Sequence, residues 1–235
     1  MSFVSFQFWA VLLPIVYLLY LLLGRSAKIQ NFILLAASII FYGSYDLKYL
    51  IVLGASILVT YLGGLIGSKQ EDKTKGGRIY SAALVLNLLL LVVFKYTNFI
   101  LGNLNSLLGA FGLSIALPSL LLPVGLSFYV FQSSTYLMDL KSGRCECEKD
   151  IISYALFVSF FPSVVSGPIL RASDMLPQIN KKREATFERF QIFIFSFLWG
   201  MFLKLVLSDR LVGFVGYVYQ RYYDYGGFTL FVHTC

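Results

Sequence analysis

Long apolar stretches separated by short basic ones set the pattern of this chain. Five stretches approach the roughly 20 residues that a helix needs to cross a bilayer, and they are residues 6–23, 49–66, 79–94, 120–138 and 190–207. Two shorter ones, 31–42 and 211–219, either cross with polar ends, pair with a neighbour or do not cross. Backbone groups in hydrocarbon must be hydrogen-bonded locally. The pattern therefore predicts an all-α fold, a polytopic transmembrane helical bundle of about seven to eight membrane segments.

Composition supports this prediction and restricts the class of partner. Of 235 residues, 58% are hydrophobic and only 13% are charged, which lies far from the soluble globular range. The net charge of +7 could indicate nucleic acid. However, the basic residues lie in short loops between apolar stretches and leave no extended basic face. We therefore expect membrane lipids around the protein and no nucleic-acid partner.

The basic residues also predict an orientation. No charge precedes the first apolar stretch, and Arg25 and Lys28 follow it. This is the reverse of a cleavable signal peptide and favours an N-terminus outside the cell. The basic stretches 68–78, 139–150 and 171–189 then all lie on the cytoplasmic side.

The chain between the last two basic stretches must then enter from the cytoplasm and return to it. Within this part, Pro162 and Pro168 each remove a helical hydrogen bond, and Gly167 weakens the helix further. We expect a re-entrant or broken helix near 157–170. Non-helical backbone at membrane depth is tolerated where it is buried in protein or faces a cavity. The alternative is a short interfacial loop.

Polar side chains interrupt two other apolar stretches. Gln132 and Ser133 lie within the fourth, and they either line a cavity or bond a neighbouring helix. Lys204 and Asp209 lie near the end of the fifth, where they either form an internal ion pair or extend to the membrane surface.

The remaining motifs are weaker. Gly63 and Gly67 are spaced for close helix packing. Cys145 and Cys147 lie in a loop placed in the cytoplasm, where thiols stay reduced. A zinc site would need two further ligands, and the single histidine, His233, lies far along the chain, so no metal site is expected.

Three motifs together resemble those of a known family. They are LPVGLSFYVFQSSTYLMDL (residues 122–140), FVSFFPSVVSGPILRASDMLPQI (157–179) and GMFLKLVLSDRL (200–211). Their order and separation resemble the membrane-bound O-acyltransferase family. The most similar branch is the bacterial one that includes the alginate O-acetyltransferase and the D-alanyl transferase of teichoic acids. The third motif departs from the family, because Leu205 stands where a second basic residue often follows the lysine.

The resemblance implies an enzyme of the bacterial cell membrane that moves an acyl group to a hydroxyl of a cell-surface polymer, with acetyl transfer to a polysaccharide as the first expectation. It implies no bound cofactor. The donor would be an acyl thioester, acetyl-CoA or an acylated carrier protein, on the cytoplasmic side, and the acceptor would be outside. A periplasmic or extracellular acyltransferase partner could complete the transfer. The motif positions that match a substrate passage are Gln132, Ser133, Gly167, Pro168 and Arg171.

The sequence allows two roles for the Arg171 side chain. Its guanidinium could attract an anionic donor, or it could pair with Asp174.

The family's catalytic histidine, by the same resemblance, lies in the second half of a longer chain. The context of His233 does not match it, so we expect no catalytic residue in this sequence. The prediction is a single transmembrane domain over residues 1–235, the N-terminal part of a longer fold and inactive alone. A small membrane transporter or channel and a non-catalytic membrane partner are the alternatives.

Overall fold

The structure is a computed structural model, and it describes residues 5–109, 121–184, 186–224 and 226–234. Within them all regular structure is helical, which confirms the all-α prediction. The helices are α1 (Phe8–Leu23, π-helical at Phe8–Leu12), α2 (Ala27–Gly43), α3 (Leu47–Ser68), α4 (Lys73–Gly109), α5 (Leu126–Lys141), α6 (Ile151–Ser159), α7 (Ala172–Ile179), α8 (Phe187–Gln220) and α9 (Gly227–Thr234), with one 3₁₀ turn at Tyr222–Asp224.

Several helices are suited to a membrane. In the described residues α3, α4 and α8 are long and apolar enough to cross one, and α1 and α2 are shorter apolar helices. The chain is thus a polytopic helical membrane protein, as predicted. It divides into two compact units, Met1–Arg183 and Glu184–Cys235. One domain over the whole chain stays a prediction.

Three of the predicted stretches differ in extent from the helices that contain them. The stretch 79–94 is the middle of a 37-residue helix, α4, because its polar flanks contain no proline and Lys95 lies inside the helix. The stretches 190–207 and 211–219 are one helix, α8, which continues through the π-helical turn Leu203–Ser208. Charged residues alone did not end either helix, because single charges do not break the backbone hydrogen-bond pattern.

Small residues let the first unit pack closely. Gly63 on α3 lies against Ala83 on α4, and Gly67 lies against the ring of Tyr80. A Cβ at either glycine would overlap its neighbour. The predicted close-packing surface is therefore confirmed, and its partner is α4.

A buried polar cluster joins α3, α4 and α5. Asn87 is fully buried, and its Nδ2 donates to Ser133 Oγ at 2.9 Å and Ser134 Oγ at 3.1 Å. Its Oδ1 accepts from Ser56 Oγ at 2.7 Å. Because an apolar solvent offers these groups no alternative partner, the cluster fixes the register of the three helices.

The predicted broken helix is confirmed between α6 and α7. Helix α6 begins at its cap Asp150, whose carboxylate accepts from the amides of Ile152 and Ser153. It ends where Phe160 takes φ −50° and ψ 110°, just before Pro162, which has no N–H to donate. Turns and extended chain follow up to Arg171, which caps α7.

Helix α6 and this broken segment, residues 160–171, form a hairpin whose return leg runs along α5. Just before α6, the carbonyl of Lys149 accepts from Tyr61 Oη at 2.6 Å. Val164, at the tip, touches Gly125 at the beginning of α5. On the return, the amide of Ser173 donates to Asp139, near the end of α5.

Two glycines enclose this tip. Gly125 has φ +72°, and a Cβ there would overlap the carbonyl oxygen of Val164. A Cβ at Gly167 would overlap the backbone of Ser163. Gly125→Ala and Gly167→Ala should each lower the free energy of unfolding, Gly125→Ala by at least about 2 kcal/mol. Thermal unfolding in detergent measures this.

Gly54→Ala is the matched control, because a Cβ at Gly54 meets nothing within 4 Å. We expect its stability to be unchanged or raised by up to about 1 kcal/mol. Equal unfolding temperatures for all three variants would contradict the tip geometry.

Candidate functional site

Side chains from two helices replace the hydrogen bonds that α6 loses at its break. In a continuous helix the amide of Phe161 would donate to the carbonyl of Phe157. Here Phe161 N donates to Ser38 Oγ on α2 at 3.1 Å. The carbonyl of Phe157 instead accepts from Nε2 of Gln132 on α5, a side chain only 2% exposed. Gln132, predicted as a passage residue, thus ties α5 to the break.

The return leg is fixed to the same face of α5. Thr135 Oγ1 donates to the carbonyl of Gln132 at 2.7 Å and lies 3.4 Å from that of Leu170. Gly167 lies against Ser163, and Pro168 is exposed. Three predicted passage residues, Gln132, Gly167 and Pro168, therefore lie in or against one hairpin.

Ser133 faces the other way. It is fully buried and bonded to Asn87 and Ser56, on α4 and α3. Of the two roles that the sequence allows for Ser133, the structure shows hydrogen bonding to neighbouring helices. A passage role for Ser133 stays a prediction.

The return leg leads to a small cavity between α5 and α7. It has a volume of about 230 Å³, and its lining residues are Thr135, Met138, Asp139, Ser142, Arg144 and Arg171. We call it the Arg171 cavity. Two guanidinium groups and one carboxylate thus meet in a space large enough for a few non-hydrogen atoms or waters.

Asp139 positions the helix that follows Arg171. Its side chain is 4% exposed, and its Oδ2 accepts from the amide of Ser173 at 3.3 Å. A buried carboxylate is costly unless it is hydrogen-bonded or near positive charge. Arg144 and Arg171 supply that charge across the cavity, although in the described chain neither forms an ion pair with it.

Arg171 itself is exposed and has no ion pair in the described residues, so the expected alternative contact with Asp174 does not form. Asp174 instead accepts from Ser173 Oγ at 3.3 Å. Arg171 also lines a second cavity of about 590 Å³ on the other side of α7. Most of that lining is apolar, with Leu156 and Met175 among its residues. Arg171 therefore stands between a polar and an apolar cavity.

In the sequence, Arg183 is one of the basic residues of the stretch 171–189 that predict orientation. In the structure its guanidinium donates to Asn31 Oδ1, and its amide donates to Gln30 Oε1 at 2.9 Å. Gln30 Nε2 returns a bond of 2.8 Å to the carbonyl of Arg183. Arg183 also lines the 590 Å³ cavity. The sequence signal that could have indicated this contact is the pair of adjacent amide side chains, Gln30 and Asn31, at the start of the short apolar stretch 31–42.

Lys204 and Asp209 form an ion pair of 2.7 Å in the second unit. The π-helical turn places residues five apart on one face, which brings the two side chains together. Their exposed fractions are 61% and 47%, so within the described chain the pair is not internal.

His233 lies in α9, and its side chain is outside the part that the structure describes. No group of three or more histidine, cysteine and acidic side chains suited to a metal occurs in the described residues. Cys145 and Cys147 are free thiols in the loop between α5 and α6.

Removing the carboxylate of Asp139 should release the start of α7. Asp139→Ala leaves the Ser173 amide without its acceptor, at a cost of about 1–3 kcal/mol. Asp139→Asn keeps an acceptor oxygen. Hydrogen exchange of the amides in α7 should be faster in Asp139→Ala than in Asp139→Asn. Equal exchange in both variants would show that Asp139 does not hold this helix.

Burial, with the nearby charge of Asp139, raises the pKa of the Cys145 thiol to about 12. At pH 8 the folded protein should therefore hold far less thiolate there than an unfolded chain, and alkylation by iodoacetamide should be at least about a hundredfold slower. Mass spectrometry in a Cys147→Ser background assigns the label to Cys145. Equal rates in the folded and denatured protein would contradict the burial.

Comparison with known proteins finds relatives but no matching family model and no matching solved structure. The chain is 31% identical to the probable alginate O-acetylase AlgI of Pseudomonas putida, over 97% of this chain and 51% of that protein. For the same protein of Pseudomonas aeruginosa the identity is 30%, over 97% and 48%. For the peptidoglycan O-acetyltransferase of Helicobacter pylori it is 28%, over 92% and 50%.

These relatives agree with the resemblance carried by the three motifs. The chain spans about half the length of the curated relatives it matches. The match covers nearly the whole chain, including the broken segment and the residues around Arg171. The predicted resemblance to the membrane-bound O-acyltransferase family, in the branch of the alginate O-acetylases, is therefore confirmed, and it extends over about half of those proteins.

Proposed function

We propose that this chain forms part of a membrane O-acyltransferase that moves an acetyl group from an acyl thioester to a hydroxyl of a cell-surface polysaccharide. The observation that carries the proposal is the similarity of 97% of the chain to alginate O-acetylases. A peptidoglycan O-acetyltransferase among the relatives supports a polysaccharide acceptor. The two alternatives, a transporter or channel and a non-catalytic partner, have no comparable support.

The reaction exchanges one bond to the acyl carbon for another. The acceptor oxygen attacks the thioester carbonyl, a C–O bond forms, the C–S bond breaks, and the hydroxyl proton leaves with the thiol product. A base is needed to carry that proton. We assign no residue of this chain to that role, and the family resemblance places the histidine elsewhere in a longer protein. The role that we propose for this chain is to bind and orient the acyl donor.

Arg171 is the residue we propose for donor binding. Coenzyme A carries phosphates and carrier proteins are acidic, so either donor presents negative charge to a guanidinium. Arg171 is exposed and unpaired by any carboxylate in the described chain. The adjacent 590 Å³ cavity offers apolar surface to the rest of such a donor.

The proposed setting is the bacterial cell membrane, with the N-terminus outside, the donor on the cytoplasmic side and the polysaccharide outside. The basic stretches support one charged face of the first unit. The Arg171 cavity brings together residues of the stretches 139–150 and 171–189. A bond from Lys141 Nζ to Ser81 Oγ joins α5 to the start of α4, next to the stretch 68–78. A periplasmic or extracellular acyltransferase is the proposed partner.

Arg171→Ala in the full-length protein should raise KM for the donor at least about tenfold, because a charge-assisted contact is lost. Arg171→Lys should recover part of that loss. The measurement is acetyl transfer in isolated membranes at varied donor concentration.

Lys182→Ala is the control, since Lys182 is an exposed cation a short distance along the chain. It should leave KM near the wild-type value. Equal increases in the two variants would show that only general surface charge matters, and a normal KM in Arg171→Ala would likewise show that its donor role is wrong.

A further inference from the structure

A larger cavity lies at the ends of α3 and α5 and the start of α4. Its volume is about 760 Å³, and three cations, Lys73, Arg78 and Lys141, line it. None of its lining residues in the described chain is acidic. We call it the basic cavity. Three cations thus surround one concave space, and none of them forms an ion pair within the described residues.

One of the three cations is held in place. Lys141 Nζ donates to Ser81 Oγ at 2.9 Å, and Ser81 Oγ donates to the carbonyl of Gly77 at 2.9 Å. An ammonium group has three protons, so two remain for a ligand. Lys73 and Arg78 are exposed and form no ion pair within the described residues.

Glycines keep the cavity open. A Cβ at Gly77 would meet only the Lys141 side chain, at 3.9 Å, and one at Gly143 would meet nothing within 4 Å. Gly143 also has φ +70°, a conformation in which glycine is favoured. Larger residues at these positions would place side chains in or beside the space between the cations.

The amide of Thr74, near the start of α4, is not free to bind an anion. Asp72 already accepts from the amide of Thr74 at 2.8 Å. Its carboxylate caps the helix and does not line the cavity.

We propose that the basic cavity binds a phosphate group, supplied either by the headgroup of an anionic phospholipid or by a soluble phosphate. The cavity opens where two long apolar helices, α3 and α4, meet at their charged ends, and such ends lie among the headgroups when a helix spans a membrane. Basic pockets between membrane helices suit anionic headgroups because several cations share one phosphate. The inference does not rest on acyl transfer, since it uses no residue assigned to the donor.

The test uses the full-length protein in nanodiscs with two probes, phosphatidylglycerol added to phosphatidylcholine, and inorganic phosphate. The variant pair is Lys73→Gln with Arg78→Gln. The control pair, Lys69→Gln with Lys75→Gln, removes the same charge from the same basic stretch, 68–78, at residues outside the cavity lining. Gly77→Leu blocks the cavity without changing charge. Native mass spectrometry counts bound lipid, and ³¹P line broadening reports phosphate.

The cavity variants should weaken binding of one probe at least about tenfold, and the control pair should change it less than about twofold. Preference for phosphatidylglycerol that Gly77→Leu abolishes identifies a lipid headgroup. Binding of inorganic phosphate without any lipid preference identifies a soluble phosphate. Equal losses in the cavity and control pairs, or no binding of either probe, would overturn the proposal.

Discussion

Backbone hydrogen bonding at the break after α6 is the constraint on which the rest of the first unit depends. Pro162 ends the helix, and Phe157 and Phe161, whose carbonyl and amide are released, are buried in the protein away from water. In a continuous helix the amide of Phe161 would bond the carbonyl of Phe157. Here Ser38 Oγ accepts from that amide, and Gln132 Nε2 donates to that carbonyl. Each unsatisfied group would cost about 1–3 kcal/mol. The break is therefore stabilised by one polar side chain from α2 and one from α5.

The same arrangement determines where the candidate site lies. Once the tip is seated against Gly125 and the return leg against Thr135, the chain reaches the end of α5 and begins α7 beside Asp139. Arg171 is the residue at which the return leg ends and α7 begins. Its position between a polar and an apolar cavity follows from backbone contacts of its neighbours, since no ion pair in the described residues holds its own side chain.

The sequence was sufficient where a local rule dominates. Proline without an amide hydrogen predicted the broken segment, small residues predicted the contact of α3 with α4, and length with apolarity predicted a helical membrane protein. It was insufficient where partners come from distant parts of the chain. Nothing local distinguishes Gln132, which bonds the broken segment, from Ser133, which bonds Asn87.

The roles of Asp139 and Arg183 likewise depend on residues far along the chain. The sequence also did not predict that α8 is one continuous helix. Lys204 and Asp209 suggested an end there, but the π-helical turn brings them together as an ion pair and the helix continues.

The most direct measurement is photocrosslinking of the full-length protein in its membrane with an acyl-coenzyme A analogue whose photoreactive group is beside the phosphates. Mass spectrometry then identifies the labelled peptides. The account predicts labels within residues 157–183 and on the end of α5 near Asp139, with labelling reduced by excess donor. Labels that excess donor suppresses only in other parts of the protein would contradict the claim that the broken segment delivers Arg171 to the donor.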